Sequence, residues 1–508
     1  MTEQVLEHQL KKYFAYDSFR PGQKEIIRNV LKGENVLGIL PTGSGKSICY
    51  QLPARILPGI TVVVSPLISL MMDQVKQLRA TGFKEVVALN SFMDPAERKR
   101  VMNHLDAYKL IYISPELLQK AKILDSFKKQ IISLLTVDEA HCISQWGHEF
   151  RPDYLKLDRV KRQLGNPPVL ALSATATPEV QQDIVQHLAM NGCVRHVYPM
   201  DRENLSFLVQ EAADDQAKQA MISEIAAEFH VPILIYFSSR NDAQEVASAL
   251  ADKLPDRRIA FYHGGMEQLD RISVQQQFMN SQLDLICCTS AFGMGIDKSD
   301  IRLVIHYHLP PQLESFIQEI GRAGRDGRRS VSLLLFSPKD MMLPKSFIQH
   351  ELPHPKSIFT VFRQLKELFL AGGDLPHKEE ETAQLFQLNE IQWRFLRQQL
   401  EKHGMIKGNR IFYNEAGWDD HCQAIKRQRD EREWLKESKL REMLEWIQEK
   451  GCLRRNLYKN FQASYRSVEK QCCSNCGFSF ADWDPQPTAR QEEASGSWEI
   501  KLKELLLS

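Results

Sequence analysis

Short apolar runs bounded by turn residues recur through the first two thirds of the chain. Leu134 to Val137, Val169 to Leu172, Pro232 to Tyr236 and Leu283 to Cys288 each have the length of a buried strand. Val36 to Leu40 is another, and it passes through a glycine-containing turn into an apolar segment that begins at Ser47. Alternating strand-like and helix-like segments of this kind predict α/β units. Between Ser346 and Asn414 the period changes. Ile358, Phe362, Leu365 and Phe369 keep helical spacing up to Gly372-Gly373, and EETAQLFQL and NEIQWRFLRQQLEKHG continue as two more helices. Asn389 caps the second of these, and MIKGNRIFYN predicts a hairpin turning at Gly408-Asn409.

The turn after Val36 to Leu40 reads P-T-G-S-G-K-S. Its glycines let backbone N–H groups converge on phosphate oxygens, Lys46 can reach the β- and γ-phosphates, and Ser47 offers a hydroxyl to Mg2+. Thr42, Gly43, Ser44, Gly45, Lys46 and Ser47 are therefore candidate nucleotide-binding residues. The strict G-x-x-x-x-G-K-S form would have glycine at position 40, where Leu40 stands. A plain glycine turn explains little once Asp138-Glu139 is found at the end of another apolar run, where phosphate-loop enzymes hold a nucleotide-bound Mg2+. Asp138 is expected to hold Mg2+ through water together with Ser47, and Glu139 to orient and polarise the attacking water. His148-Glu149 invites a metalloprotease reading, but that helix needs a second histidine where Pro152 stands. The hydroxyls of Ser173 to Thr177 end the Val169 to Leu172 run and can hydrogen-bond near the same sheet edge. Gly321-Arg322-Ala323-Gly324-Arg325 puts two guanidinium groups three residues apart, suited to reaching a γ-phosphate across a cleft.

With 508 residues the chain exceeds a single core, and 43% hydrophobic with 25% charged residues is ordinary for a globular protein. No apolar run is long enough to span a bilayer and no leader pattern follows Met1, so a cytoplasmic protein without membrane contact is expected. A net charge of +1 makes any nucleic-acid binding a matter of local Lys, Arg and aromatic placement. The cysteines up to Cys422 read as buried or inert thiols.

Taken together, FAYDSFRPGQKEII, PTGSGKS, VVVSPLISLMMDQV, DEAH, SATAT, YFSSR, TSAFGMGIDK and QEIGRAGRDG stand in helicase order. From about Tyr13 to Phe336 the chain resembles superfamily 2 helicases, and within them the RecQ DNA helicases. The resemblance implies two RecA-like domains that close on ATP and reopen after hydrolysis, driving 3′-to-5′ translocation on single-stranded DNA and opening of the duplex in recombination and repair. It implies that Gln23 pairs with adenine, supported by Arg20. It also makes Lys46, Asp138, Glu139, Arg322 and Arg325 the catalytic set, and single-stranded DNA, duplex DNA and single-strand-binding or other repair proteins the partners. CISQWGHEFRPDY is similar to the aromatic-rich loop that links strand binding to hydrolysis in RecQ proteins. In it Trp146, Phe150 and Tyr154 offer stacking faces, Arg151 a phosphate contact, and Gln145 and His148 the polar setting of an exposed loop. Loops including Ser65 to Ser69 and Thr289 to Gly293 would grip the strand.

Cys452, Cys472, Cys473 and Cys476 form a Cys-x-x-Cys with two further thiols, a structural zinc signature in a reducing compartment. The set is similar to the RecQ zinc module, in some members of which a cysteine stands where this chain has Ser479; Cys472 is the least certain of the four ligands. Three helices and a hairpin before it make a winged-helix pattern, with Lys407, Arg410, Phe412 and Tyr413 on a wing that could meet duplex DNA. A small helical packing domain is the alternative. The expected fold is α/β: two RecA-like domains, a small winged-helix-like module and a helical zinc-binding module. Expected boundaries are 1–200 and 201–340 for the RecA-like domains, 341–418 for the winged-helix-like module, 419–480 for the zinc module and 481–508 for a tail. The tail carries a polar linker and an amphipathic segment with Trp498, Ile500, Leu502 and Leu505, which docks on its own protein or on a partner. ATP, Mg2+ and Zn2+ are the expected cofactors. An RNA helicase and an ATP-switched DNA-binding factor remain rival readings.

Overall fold

The computed structural model describes residues 3–144, 151–292, 298–462, 468 and 472–485. Its first sheet comprises β1 (Val36–Ile39), β2 (Ile60–Val64), β3 (Val86–Leu89), β4 (Leu110–Ile113), β5 (Ile132–Val137), β6 (Val169–Ser173) and β7 (Val194–Val197). The second comprises β8 (Leu205–Glu211), β9 (Ile233–Tyr236), β10 (Ile259–Tyr262), β11 (Leu285–Cys288), β12 (Leu303–His306) and β13 (Ser330–Phe336). Strand order is β3-β4-β2-β5-β6-β1-β7 in one and β10-β11-β9-β12-β13-β8 in the other, and every pairing is parallel. Helices cover both faces of such a sheet, which is why most of these strands are apolar throughout rather than alternating.

Topology assembles the motifs. Since β5, β6 and β1 are neighbours, the Asp138-Glu139 turn, the Ser173 to Thr177 loop and the phosphate loop leave the same carboxyl edge side by side. Ile39 stands opposite Ser173, and Val137 opposite Ala171. Ligands bind at that edge of doubly wound sheets.

Beyond β13, helices Pro355–Leu370, Glu379–Leu385 and Glu390–Lys402 precede a two-stranded hairpin of β14 (Ile406–Lys407) and β15 (Arg410–Ile411). The Asn389 side chain accepts from the Gln392 N–H at 2.9 Å and opens the third helix, as the capping signal predicts. The Leu375 N–H donates to the Asn409 carbonyl at 2.8 Å, which ties the segment between the first two helices to the hairpin. Ile358, Phe362, Leu365, Trp393, Leu396 and Trp418 bury a core separate from the main one. Tyr413 belongs to that core's margin, 4.8 Å from the Trp418 ring and 5.8 Å from Phe369. It is therefore not a free wing residue, whereas Phe412 is 48% exposed.

A 33-residue helix, Glu415–Ile447, follows. It runs through position 418, so a boundary there cuts a continuous element. Trp418, Cys422 and Ile425 at one end join the small core, and Leu440, Met443 and Trp446 at the other join the large core shared by both sheets. The cysteine module begins with the short helix Leu453–Tyr458. Among the described residues no helix is long and apolar enough to cross a membrane.

Candidate active site

Gly43 and Gly45 have φ of 80° and 72°, the left-handed region that glycine enters without strain. Both are also crowded. A Cβ at Gly45 would come within 2.8 Å of the Gln23 amide nitrogen, and one at Gly43 within 2.8 Å of Arg325 Cγ. Gln23 is buried and donates to the Ser44 and Gly45 carbonyls at 2.8 and 3.0 Å, while its own carbonyl accepts from the Arg20 N–H at 2.9 Å. Arg20 donates to the Gly43 carbonyl at 2.5 Å. Both residues assigned to the adenine thus support the phosphate loop from behind. The buried Ser44 hydroxyl finds no hydrogen-bond partner among the described residues, which leaves it available to a phosphate oxygen.

Asp138 is buried, and its carboxylate accepts from the Glu139 N–H at 3.0 Å. Burial and, after it, the charge of Glu139 push its carboxyl up to about 7, against the opposing pull of Lys46. A divalent cation bound there would remove that penalty, so the chemistry of the donor set fits Mg2+. Glu139 adopts φ 47° and ψ 49°, a left-handed conformation unusual outside glycine and asparagine. Its carboxylate lies 3.5 Å from His141 Nδ1, which in turn lies 2.9 Å from the Ser173 hydroxyl. The histidine therefore joins the acidic turn to the β6 loop, a contact that spacing along the chain does not reveal.

The aromatic-rich segment is described only at its two ends. Gln145, Trp146, His148 and Phe150 lie outside the described residues. Arg151 donates from its backbone to the Cys142 carbonyl at 2.8 Å and from its guanidinium to the Pro66 carbonyl at 3.1 Å. It thereby ties this segment to the loop after β2. Tyr154 corrects an expectation: it is fully buried, and its hydroxyl donates to the Asp138 carbonyl at 3.2 Å. It buttresses the acidic turn and offers no face to a base.

Across the cleft, Arg322 is 4% exposed and hydrogen-bonds the Tyr236 hydroxyl, which donates to the Phe292 carbonyl at 3.0 Å. A Cβ at Gly321 would come within 2.8 Å of Thr42 Cβ. Together with the Gly43 approach, this brings the arginine-bearing turn of the second sheet directly onto the phosphate loop of the first. A nucleotide bound to that loop would have the second domain's guanidinium groups as its far wall. Loop residues that are remote in sequence thus form one two-sided site suited to hydrolysing a phosphoanhydride.

In the cysteine module the four Sγ atoms of Cys452, Cys472, Cys473 and Cys476 all lie within 4.8 Å of one another, with Cys452 and Cys472 3.5 Å apart. A tetrahedral ion with Zn–S near 2.3 Å needs sulfurs about 3.8 Å apart. Hydrogen bonding from the Cys472 thiol, then from Cys476, pulls Cys473 down to about 5, whereas burial and its thiol neighbours push Cys476 up to about 12. Thiols packed so closely that only one of them ionises readily are what a soft cation relieves, by letting the others give up their protons. Ser479 lies outside the set and caps the next turn, donating to Asp482 at 2.8 Å.

Residues 20–184 match the DEAD/DEAH box helicase family, and residues 216–327 the helicase conserved C-terminal domain. The chain is 41% identical over 501 residues to the probable ATP-dependent DNA helicase RecS of Bacillus subtilis, covering 98% of this chain and 97% of that one. It is 43% identical over 345 residues to the ATP-dependent DNA helicase RecQ of the same organism, covering 67% of this chain and 57% of that protein. Among solved structures, Mycobacterium smegmatis helicase Lhr bound to ssDNA and AMP-PNP aligns with a TM-score of 0.56 at 20% identity, over 77% of this chain and 56% of that one. Saccharomyces cerevisiae Dbp5 bound to RNA and ADP BeF3 aligns with 0.54 at 18%, over 68% and 90%. At such identities the two structures speak for the fold alone, one carrying DNA and the other RNA. The near full-length likeness to RecS, carried by two facing α/β domains with their site between them, decides the matter: the chain belongs to the RecQ family of superfamily 2 ATP-dependent helicases.

Proposed function

We propose that the protein is an ATP-dependent 3′-to-5′ DNA helicase that translocates on single-stranded DNA, opens duplex, and acts in recombination and repair in the cytoplasm. The observation that carries this is the direct approach of Gly321 and Arg325 to Thr42 and Gly43. ATP would lie on residues 42–47, a loop braced by Arg20 and Gln23, and Arg322 and Arg325 would face the γ-phosphate. Ser47 and Asp138 would hold Mg2+, which neutralises charge developing on the phosphates. Glu139 would orient the attacking water. Closure and reopening of the two domains would shift a strand held by the loops after β2 and β11.

A cleft of about 510 Å3 supports a strand path, because its lining includes Arg151, Thr289, Ser290 and Phe347, with Arg432 and Lys436 beside their ion-pair partner Glu351. Cations and hydroxyls for phosphates beside an aromatic face for a base suit single strands. The names of the relatives favour DNA over RNA as the track. Steady-state ATPase without nucleic acid, with single-stranded DNA and with single-stranded RNA separates the readings. Stimulation by DNA of about tenfold or more is expected, and Trp146→Ala should keep the basal rate and lose that stimulation. Stimulation mainly by RNA would overturn the substrate, and wild-type stimulation in the variant would remove the coupling role of Trp146.

The Cys452, Cys472, Cys473 and Cys476 set is assigned to one structural Zn2+, supported by the sulfur separations. The module at 355–414 is assigned as a winged helix placed ahead of it, supported by three helices, the hairpin and the Leu375–Asn409 bond. Its third helix is a poor reader of DNA, because Arg394 and Arg397 both lie within salt-bridge distance of Glu379. The wing is the better candidate, with Lys407, Arg410 and the exposed Phe412. Charge reversal at both cations should lower duplex affinity about tenfold and flatten its salt dependence, with ATPase on single strands unchanged. Unchanged duplex affinity would reduce the module to a packing domain.

A further inference from the structure

The stretch between β7 and β8, residues 198–204, belongs to neither sheet, yet its polar groups are held. The Gln462 side-chain carbonyl accepts from the Met200 N–H at 2.9 Å and from the Asp201 N–H at 3.4 Å. Arg454, fully buried, forms an ion pair with Asp201, donates to the Arg202 carbonyl at 2.8 Å, and donates to the Leu205 carbonyl. Its guanidinium lies 4.9 Å from the Phe207 ring. The Phe207 N–H donates to the Cys472 carbonyl at 3.2 Å, so the cysteine module grips the linker and the first strand of the second domain together.

The linker's other side reaches the catalytic turn. Arg202 donates to the Ile320 carbonyl at 3.3 Å, one residue before Gly321. Asn204 donates to the Gly324 and Arg328 carbonyls at 2.8 and 2.7 Å, bracketing Arg325. Two linker residues thus fix the turn at both ends, and two residues of the cysteine module fix the linker. A buried guanidinium that satisfies a carboxylate and two carbonyls at once has one workable geometry, because displacing it strands a charge away from water.

We infer that Arg454 and Gln462 are positioning residues for ATP hydrolysis: by holding residues 200–205 they set the placement of the Gly321–Arg325 turn against the phosphate loop. The inference rests on the reading of Arg322 and Arg325 as γ-phosphate contacts. It gives the cysteine module a part in the chemical step through residues 198–204. Misplacing a catalytic group by about 1 Å can cost about a hundredfold in rate, so modest loosening is measurable.

The test compares Gln462→Leu, Arg454→Met, Arg454→Lys and Asn204→Ala in the full chain, reading kcat and KM for ATP with saturating single-stranded DNA, binding of a fluorescent ATP analogue, and the melting midpoint. Gln462→Leu at the near end and Asn204→Ala at the far end should each lower kcat about fivefold or more, with KM and analogue affinity within about twofold. Arg454→Met should lose more, and Arg454→Lys should recover part of that loss by keeping the Asp201 pair without the fork to both carbonyls. If Arg454→Met does not fold, Gln462→Leu and Asn204→Ala decide. Unchanged kcat in both, or a KM that rises in step with a falling kcat, overturns the inference. Arg322→Ala and Arg325→Ala in the same assay separate the layers. If both keep wild-type kcat, the γ-phosphate reading fails and this inference with it; if they lose it while Gln462→Leu and Asn204→Ala do not, the positioning role alone is wrong.

Discussion

Glu139→Gln should lower kcat for ATP by on the order of 10³-fold, about 4 kcal/mol of transition-state stabilisation, with nucleotide affinity within about threefold. The amide keeps the size of the carboxylate but cannot polarise water. The turn should persist, because its neighbours hold it: the Asp138 N–H donates to the Val64 carbonyl at 2.9 Å and the Cys142 N–H to the Glu139 carbonyl at 2.9 Å. Metal binding should not suffer either. Glu139 is one of the charges that raise the Asp138 carboxyl, so removing it makes Asp138 easier to ionise. Steady-state ATPase alongside binding of a fluorescent ATP analogue checks this, and a loss of kcat smaller than tenfold would take the water-orienting role away from Glu139.

Cys473→Ala should cost most of the stability of the C-terminal part. Structural zinc contributes about 10–16 kcal/mol of apparent binding free energy in small modules, and one lost thiolate forfeits much of it. Cys473 is fully buried and shares the large core with Trp446, Leu453 and Leu457, so the loss should spread into the second α/β domain. Zinc per chain should fall from about one to none, and the melting midpoint by several degrees or more. A chelator should reproduce that shift in the parent chain and add nothing in the variant. Retention of zinc by Cys473→Ala would exclude this thiol as a ligand.

What the chain reveals by inspection divides along physical lines. Local signals sufficed for the strands at 132–137, 169–173, 233–236 and 285–288, because strands buried on both faces leave unbroken apolar runs. They sufficed for the helix at 355–370 through its helical period, and for that at 390–402 through its asparagine cap. The phosphate loop and the acidic turn were legible because their chemistry demands particular residues in sequence. Tyr154 was not legible: an aromatic beside Arg151 and Asp153 looks exposed until the fold turns it under Asp138. Tyr413 misled for a similar reason, being carried into the small core by Trp418. His141, Asn204 and Arg454 act through partners 32, 120 and 253 residues away, and nothing local to them reports such contacts.

The Glu415–Ile447 helix has a mechanical consequence. Trp446 is anchored among both large domains and Trp418 in the small distal core, 28 residues apart along one rod. At 1.5 Å per residue the two anchors lie about 42 Å apart, and the rod between them is braced where Arg429 donates to the Pro353 carbonyl at 3.0 Å and where Lys436 and Lys439 pair with Glu351 and Glu314, so the small core is carried as one piece with the second domain.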